Sequence, residues 1–115
     1  MHELSLAQDV VEQATEAARS ADGGRVTAVH LTIGRLAGVE AGALLFCYET
    51  ACKDTPLEGS VLIIRDAPLV VWCAHCLEER TLPGIQSMRC PLCRTPCGEV
   101  RGGRELQIDS LEMES

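Results

Sequence analysis

Residues 73–93 read CAHCLEERTLPGIQSMRCPLC and carry two Cys-x-x-Cys pairs, Cys73/Cys76 and Cys90/Cys93, with 13 residues between the pairs. Two tight turns of this kind can aim four thiolates at one tetrahedral Zn²⁺ ion. Because four sulfur ligands leave no open coordination position, the pattern predicts a structural zinc site rather than a catalytic one. A redox dithiol at either pair is the less favoured interpretation, since two matched pairs favour joint coordination.

The sequence around these pairs predicts an inserted subdomain. Residues 70–103 contain three of the five prolines, four of the ten glycines and little aliphatic periodicity. Zinc binding contributes on the order of 10 to 16 kcal/mol at structural sites and can hold such a segment folded. We therefore expect a zinc-ribbon-like insert at 70–103. Its main apolar groups are Trp72, Leu82, Ile85 and Leu92.

Outside the insert, apolar residues recur with helical or strand periodicity. Helices are predicted at residues 5–20 and 40–53, and strands at 25–33, 60–66 and 105–113. Ser5 and Gln8 fit a capping box, which predicts that the first helix begins near Ser5. The fold class is therefore α+β, with two helices packed on a small three-stranded sheet. This domain comprises residues 1–69 and 104–115, and the zinc-binding insert connects its last two strands.

Charge and composition exclude several function classes. The net charge is −7 and only three residues are aromatic, which argues against attraction to polyanions and against base-stacking platforms. No apolar run reaches the length of a membrane span, and the first residues do not resemble a signal peptide, so we expect a cytoplasmic protein without a membrane partner. Residues 70–104 alone carry a formal charge of +2, from five arginines and three glutamates. A zinc ribbon that binds nucleic acid or protein is therefore one candidate function.

The remaining thiols and the histidine in the insert have plainer interpretations. Cys47 and Cys52 are five residues apart on a predicted helix and are interpreted as buried, inert thiols. Cys97 is close enough in sequence to compete as a fifth zinc ligand. His75 could replace a cysteine or act in the outer shell, but a solvated turn histidine is favoured.

The N-terminal Met1-His2-Glu3 offers a second set of metal ligands. The Met1 amine, the deprotonated backbone amide nitrogen of His2 and the His2 imidazole can form fused chelate rings around one ion. Such nitrogens suit square-planar Ni(II) or Cu(II). Without further information, a frayed end whose Glu3 complements the dipole of the following helix is the plainer interpretation.

Several motifs, taken in order along the chain, resemble the HypA/HybF family of nickel metallochaperones in [NiFe]-hydrogenase maturation. They are Met-His-Glu-Leu-Ser-Leu-Ala at 1–7, Val29-x-Leu-x-Ile-Gly34-x-Leu36-x-Gly38-Val39, Leu57-Glu-Gly59, both Cys-x-x-Cys pairs, and Gly103-Arg-Glu-Leu-x-Ile108. One departure stands out. Family members often place Gly or His directly after the second cysteine of a pair, where this chain has Leu77 and Arg94.

The resemblance implies a non-enzymatic metal carrier with Ni(II) as cargo and structural Zn(II). Nickel would bind through His2, with Met1 and Glu3 contributing, and zinc would bind Cys73, Cys76, Cys90 and Cys93. The implied partners are a hydrogenase maturation GTPase and the [NiFe]-hydrogenase large subunit, with urease served by some members. No nucleic-acid partner is implied, and a homodimer is left open.

Overall fold

The structure, a computed structural model, describes residues 2–21 and 24–114. Met1, one of the expected nickel ligands, lies outside these residues. The elements in chain order are α1 (Glu3–Ser20), β1 (Val26–Gly34), α2 (Ala41–Cys52), β2 (Val61–Ala67), β3 (Leu69–Cys73), β4 (Glu78–Leu82), β5 (Glu99–Gly102) and β6 (Leu106–Met113). They form two three-stranded sheets, with strand orders β2-β1-β6 and β4-β3-β5. The α+β class is confirmed, and no described helix is long and apolar enough to cross a membrane.

Helix α1 begins earlier than the capping box predicts. The helix starts at Glu3, so the predicted start near Ser5 is wrong. His2 is the N-cap residue, and its carbonyl oxygen accepts the first helical hydrogen bond from the Leu6 N–H at 3.0 Å. Glu3 lies in the first turn, where a carboxylate complements the helix dipole. The buried stripe of the helix is Leu6, Ala7, Val10, Val11, Ala14 and Ala18.

Helix α2 packs against α1 through a narrower face than its apolar composition suggests. Leu44, Tyr48 and Cys52 are buried at i, i+4 spacing, whereas Leu45 is exposed. The prediction of a buried thiol is correct for Cys52, but Cys47 is only half-buried. The helix begins after Glu40, whose carboxylate accepts hydrogen bonds from the N–H groups of the first turn.

The chain forms two compact units. The first comprises Met1–Thr32, Gly38–Arg65 and Gln107–Ser115, and the second comprises Ile33–Ala37 and Asp66–Leu106. Both cysteine pairs lie in the second unit. The predicted boundaries of the insert, and its assignment to zinc, stay predictions.

The second unit contains a sheet that the sequence analysis did not predict. In β3, Leu69, Val71 and Cys73 alternate inward and pack in the core of this unit. The other buried members of this core are Leu82, Cys90 and Cys97. Of the four main apolar groups of the insert, only Leu82 belongs to this core, because Ile85 and Leu92 are exposed and Trp72 lies on the opposite face of β3. Half of the buried core residues are therefore cysteines.

Gly34, at the end of β1, is required by the close packing of the backbone around it. A Cβ atom at this position would lie 2.2 Å from the carbonyl carbon and oxygen of Gly103. The close approach lets the Gly34 N–H donate to the Glu105 oxygen at 2.7 Å and the Leu36 N–H donate to the Gly103 oxygen at 2.6 Å. Only glycine permits backbone segments to meet this closely.

Candidate metal centre

Four cysteine sulfurs converge in the second unit. The Sγ atoms of Cys73, Cys76, Cys90 and Cys93 all lie within 4.8 Å of one another. Cys73 and Cys93 are 3.5 Å apart, and Cys76 and Cys90 are 3.9 Å apart, so each contact joins one pair to the other. A tetrahedron with Zn–S bonds of about 2.3 Å has sulfur–sulfur edges of about 3.8 Å. The sulfur arrangement therefore fits one tetrahedral metal ion.

Two equivalent turns position these sulfurs. The Leu77 N–H donates to the Cys73 oxygen at 2.8 Å, and the Arg94 N–H donates to the Cys90 oxygen at 2.9 Å. Leu77 and Arg94 are both left-handed, with φ of 57° and 68°. Because glycine adopts this conformation at least cost, the geometry explains why Gly suits the residue after each pair. This chain places a larger residue in the same conformation at both turns.

Cys76, Cys90 and Cys93 differ in their affinity for a proton. The pKa of Cys90 is lowered to about 5, chiefly because the Cys93 N–H hydrogen-bonds to its sulfur. The Thr95 hydroxyl likewise lowers the pKa of Cys93. At Cys76 the Arg80 guanidinium acts to lower the pKa. The Cys93 thiol, burial and two other thiols act in the opposite direction, and together they raise the pKa of Cys76 to about 11. A metal ion that binds here must therefore displace a proton from Cys76, whereas the surroundings of Cys90 and Cys93 already favour the thiolate.

Cys97 and His75 lie outside the convergent set. Cys97 is buried, its thiol donates to the Thr95 oxygen at 3.3 Å, and burial raises its pKa. It is not among the sulfurs that could share one ion. His75 is exposed within its turn, as the solvated interpretation predicts. Within residues 2–21 and 24–114, no second group of His, Cys, Asp or Glu ligands converges in this way.

The N-terminal candidate site is built on the start of α1. His2 is exposed and extended, and its side chain makes no capping hydrogen bond. The Glu3 carboxylate turns toward α2, where its Oε2 accepts a hydrogen bond from the Glu40 N–H at 3.0 Å. This bond is the main cause of the lowered pKa of Glu3. Glu40 is a neighbour of this site that the sequence does not reveal, because its local pattern predicts only the start of a helix.

Comparison with known proteins gives one consistent family. A family model described as "Hydrogenase/urease nickel incorporation, metallochaperone, hypA" matches residues 1–113. The hydrogenase maturation factor HypA of Chloroflexus aurantiacus is 49% identical over 112 residues, which is 97% of this chain and 98% of that protein. The protein of the same name from Klebsiella pneumoniae is 38% identical over 114 residues, covering 99% of this chain and 100% of its own length.

Solved structures show the same fold. The solution structure of the Ni metallochaperone HypA from Helicobacter pylori superposes with a TM-score of 0.68 at 22% identity, covering 98% of this chain and 97% of that one. A second solution structure, described as the HypA protein, gives a TM-score of 0.71 at 21% identity, covering 99% and 97% of the two chains. The predicted arrangement of two helices, a small sheet and a zinc-ribbon-like subdomain is thus confirmed.

Proposed function

The chain belongs to the HypA family of hydrogenase and urease nickel-incorporation metallochaperones, and from this premise we propose that it binds Ni(II) at its N-terminus and delivers the ion during [NiFe]-hydrogenase maturation. A metallochaperone of this family is a maturation factor and not an enzyme. The observation that carries the proposal is the exposed His2 at the N-cap of α1, whose side chain makes no capping hydrogen bond. Family membership favours this function over the nucleic-acid-binding alternative.

The helix start supplies the chemistry that a nickel chelate needs. Because the first helical bond uses the His2 carbonyl, the N–H groups of His2 and Glu3 have no acceptor within the helix. The His2 amide can therefore lose its proton to bind nickel without breaking a helical hydrogen bond. A helix N-terminus carries about half a positive charge, which disfavours a cation. The Glu3 carboxylate in the first turn and the lost amide proton offset this charge.

The proposed ligand set is the Met1 amine and the His2 amide and imidazole nitrogens, with Glu3 contributing. Glu3 accepts a hydrogen bond from Glu40 through Oε2, so its second carboxylate oxygen is the one left for a metal. Nitrogen donors of this kind suit square-planar Ni(II), although copper would bind them more tightly. Selectivity for nickel must therefore come from metal supply and from partners.

Zinc is proposed at the second centre, with Cys73, Cys76, Cys90 and Cys93 as ligands. The sulfur separations and the absence of an open ligand position among four thiols support a structural ion. When bound, Zn²⁺ would link both turns to β3 and stabilise a core in which half of the buried residues are cysteines.

The proposed partners are a maturation GTPase and the [NiFe]-hydrogenase large subunit, with urease as a further client, in the cytoplasm. The chain carries no G-x-x-x-x-G-K-[ST] phosphate loop, so nucleotide hydrolysis would belong to the GTPase. The relatives' name, hydrogenase maturation factor, supports the hydrogenase assignment, and the family description supports urease.

Isothermal titration of zinc-loaded chain with Ni(II) tests this function. His2→Ala should weaken the nickel affinity by more than about tenfold, or ~1.4 kcal/mol. His75→Ala is the matched control, because His75 is exposed but lies outside both proposed sites, and it should bind nickel like the wild type. Equal affinity of the wild type and His2→Ala would contradict the proposal.

A further inference from the structure

Arg80 occupies a core-facing position in the β4-β3-β5 sheet. In the antiparallel register, Leu82 lies opposite Leu69 and Arg80 lies opposite Val71. Directly opposed residues share one face of a sheet, and Leu69, Val71 and Leu82 are all buried there. The Arg80 side chain is only 15% exposed. The Arg80 side chain therefore lies on the same face of the sheet as the buried Cys73.

The surroundings of this guanidinium contain one carboxylate and several sulfurs. Its Nη1 donates to the Glu78 carboxylate at 2.7 Å, but the Glu78 side chain is 65% exposed. The sulfurs of Cys90 and Cys76 also lie close enough to raise the pKa of the guanidinium. Its Nε is buried without a hydrogen-bond partner. Burying a cation is unfavourable unless anionic groups surround it, and a metal–thiolate group at the four cysteines would supply that negative charge.

We propose that Arg80 is a positioning residue of the four-cysteine centre, whose guanidinium holds the Cys76 and Cys90 thiolates by hydrogen bonds and offsets the charge of the metal–thiolate group. Four thiolates around one divalent ion carry a net charge of −2, which Arg80 halves. Groups that hydrogen-bond to metal ligands commonly set metal affinity in this way. The inference rests on the proposed occupation of this centre by zinc.

Arg101 offers a matched comparison within the same sheet. Its guanidinium lies over the Trp72 ring, 4.5 Å from the centroid, on the face of β3 opposite to Cys73. It pairs with Glu99 and Glu79, and its side chain is 40% exposed. Substitution of Arg101 therefore removes an arginine from the sheet without removing a sulfur contact.

Zinc affinity of the full chain, measured by competition with a chromogenic chelator at neutral pH, tests the inference. R80Q should weaken zinc binding by about tenfold to a hundredfold, the usual effect of losing a group behind a metal ligand. R80K should lose less zinc affinity than R80Q, because lysine keeps the positive charge although it lacks the planar fork of donors. R101Q should stay within twofold of the wild type. An R80Q affinity within twofold of the wild type, or an equal loss in R101Q, would overturn the inference.

Cobalt substitution provides a readout that loss of stability alone would not move. In the Co(II)-loaded chain, the thiolate-to-cobalt absorption band should shift to lower energy in R80Q, because thiolates without hydrogen bonds are better electron donors. The band should not move in R101Q. An unshifted band in R80Q would contradict the role of Arg80. If the wild type itself failed to bind one tetrahedral metal ion, the proposed zinc site would be wrong, which separates the two failures.

Discussion

The Glu3 carboxylate accepts a hydrogen bond from the backbone N–H of Glu40, with 3.0 Å between Oε2 and N. Glu3 lies in the first turn of α1 beside the proposed nickel ligands, and Glu40 is the N-cap of α2. Glu40 in turn accepts from the N–H groups of Gly42 and Ala43. Glu3, which is proposed to contribute to nickel binding, thus also links the start of α1 to the start of α2.

This bond predicts an acid transition at the Glu40 amide. The Glu40 N–H lowers the pKa of Glu3 below its ordinary value of 4.5. Since the folded-state pKa is depressed, the bond stabilises the fold above the ordinary pKa and is lost as pH falls through the lowered one. In the metal-free chain, the NMR amide resonance of Glu40 should move with a midpoint below 4.5. Glu3→Gln should abolish this transition, and a Glu40 resonance that stays fixed in the wild type would contradict the bond.

Metal removal should affect the two units differently. Three of the six buried core residues in the second unit are cysteines, and two of them are proposed ligands. A chelator should therefore expose amides within residues 66–106 to hydrogen exchange, while α1 and α2, with their own aliphatic core, stay protected. Mass-spectrometric hydrogen exchange with and without chelator measures this. Equal loss of protection along the whole chain would contradict a metal role confined to the second unit.

The left-handed residue after the first cysteine pair predicts a stabilising substitution. Leu77 has φ of 57° and is 68% exposed, so glycine would relieve backbone strain and lose little packing. Leu77→Gly should raise the free energy of unfolding of the zinc-loaded chain by about 1 kcal/mol, measured by urea denaturation. Leu92→Gly is the control, since Leu92 is equally exposed but has no positive φ. It should lower stability, and the same sign for both variants would refute the strain argument.

Cys97 and Cys93 should respond differently to truncation. Cys97 is buried but outside the convergent sulfurs, whereas Cys93 is one of them. Cys97→Ala should therefore keep one zinc per chain and lose about 1 kcal/mol of stability from packing. Cys93→Ala should lose tight zinc binding because only three thiolates remain. Zinc quantitation after dialysis measures this, and zinc loss in Cys97→Ala would show that Cys97 is a ligand.

Local patterns in the sequence predict the helices and the cysteine cluster, whereas the features that depend on tertiary contacts are missed. Helical stripes and the spacing of the cysteine pairs are local signals, so both helices and the convergent thiols are found. The β4-β3-β5 sheet is missed because β4 begins with Glu78, Glu79 and Arg80, a run without apolar alternation. This strand forms by pairing with β3, which no single segment reveals.

The Glu3–Glu40 bond is missed for the same reason, because it joins residues 37 positions apart. The early start of α1 has a related cause. The capping box at Ser5 and Gln8 is a local signal, but the helix extends to Glu3, whose carboxylate has a partner on α2. Local capping preferences contribute only about 1 kcal/mol, and a tertiary contact can outweigh them.

Nickel is proposed to bind a chelate built on a free Met1 amine and His2. The most direct test compares Ni(II) titration of the zinc-loaded chain with a free N-terminus against the same chain extended by a short Gly-Ser tag before Met1. The tag converts the amine into an amide and should abolish tight nickel binding, while zinc content and far-UV circular dichroism stay unchanged. Equal nickel affinity of the tagged and untagged chains would contradict the account.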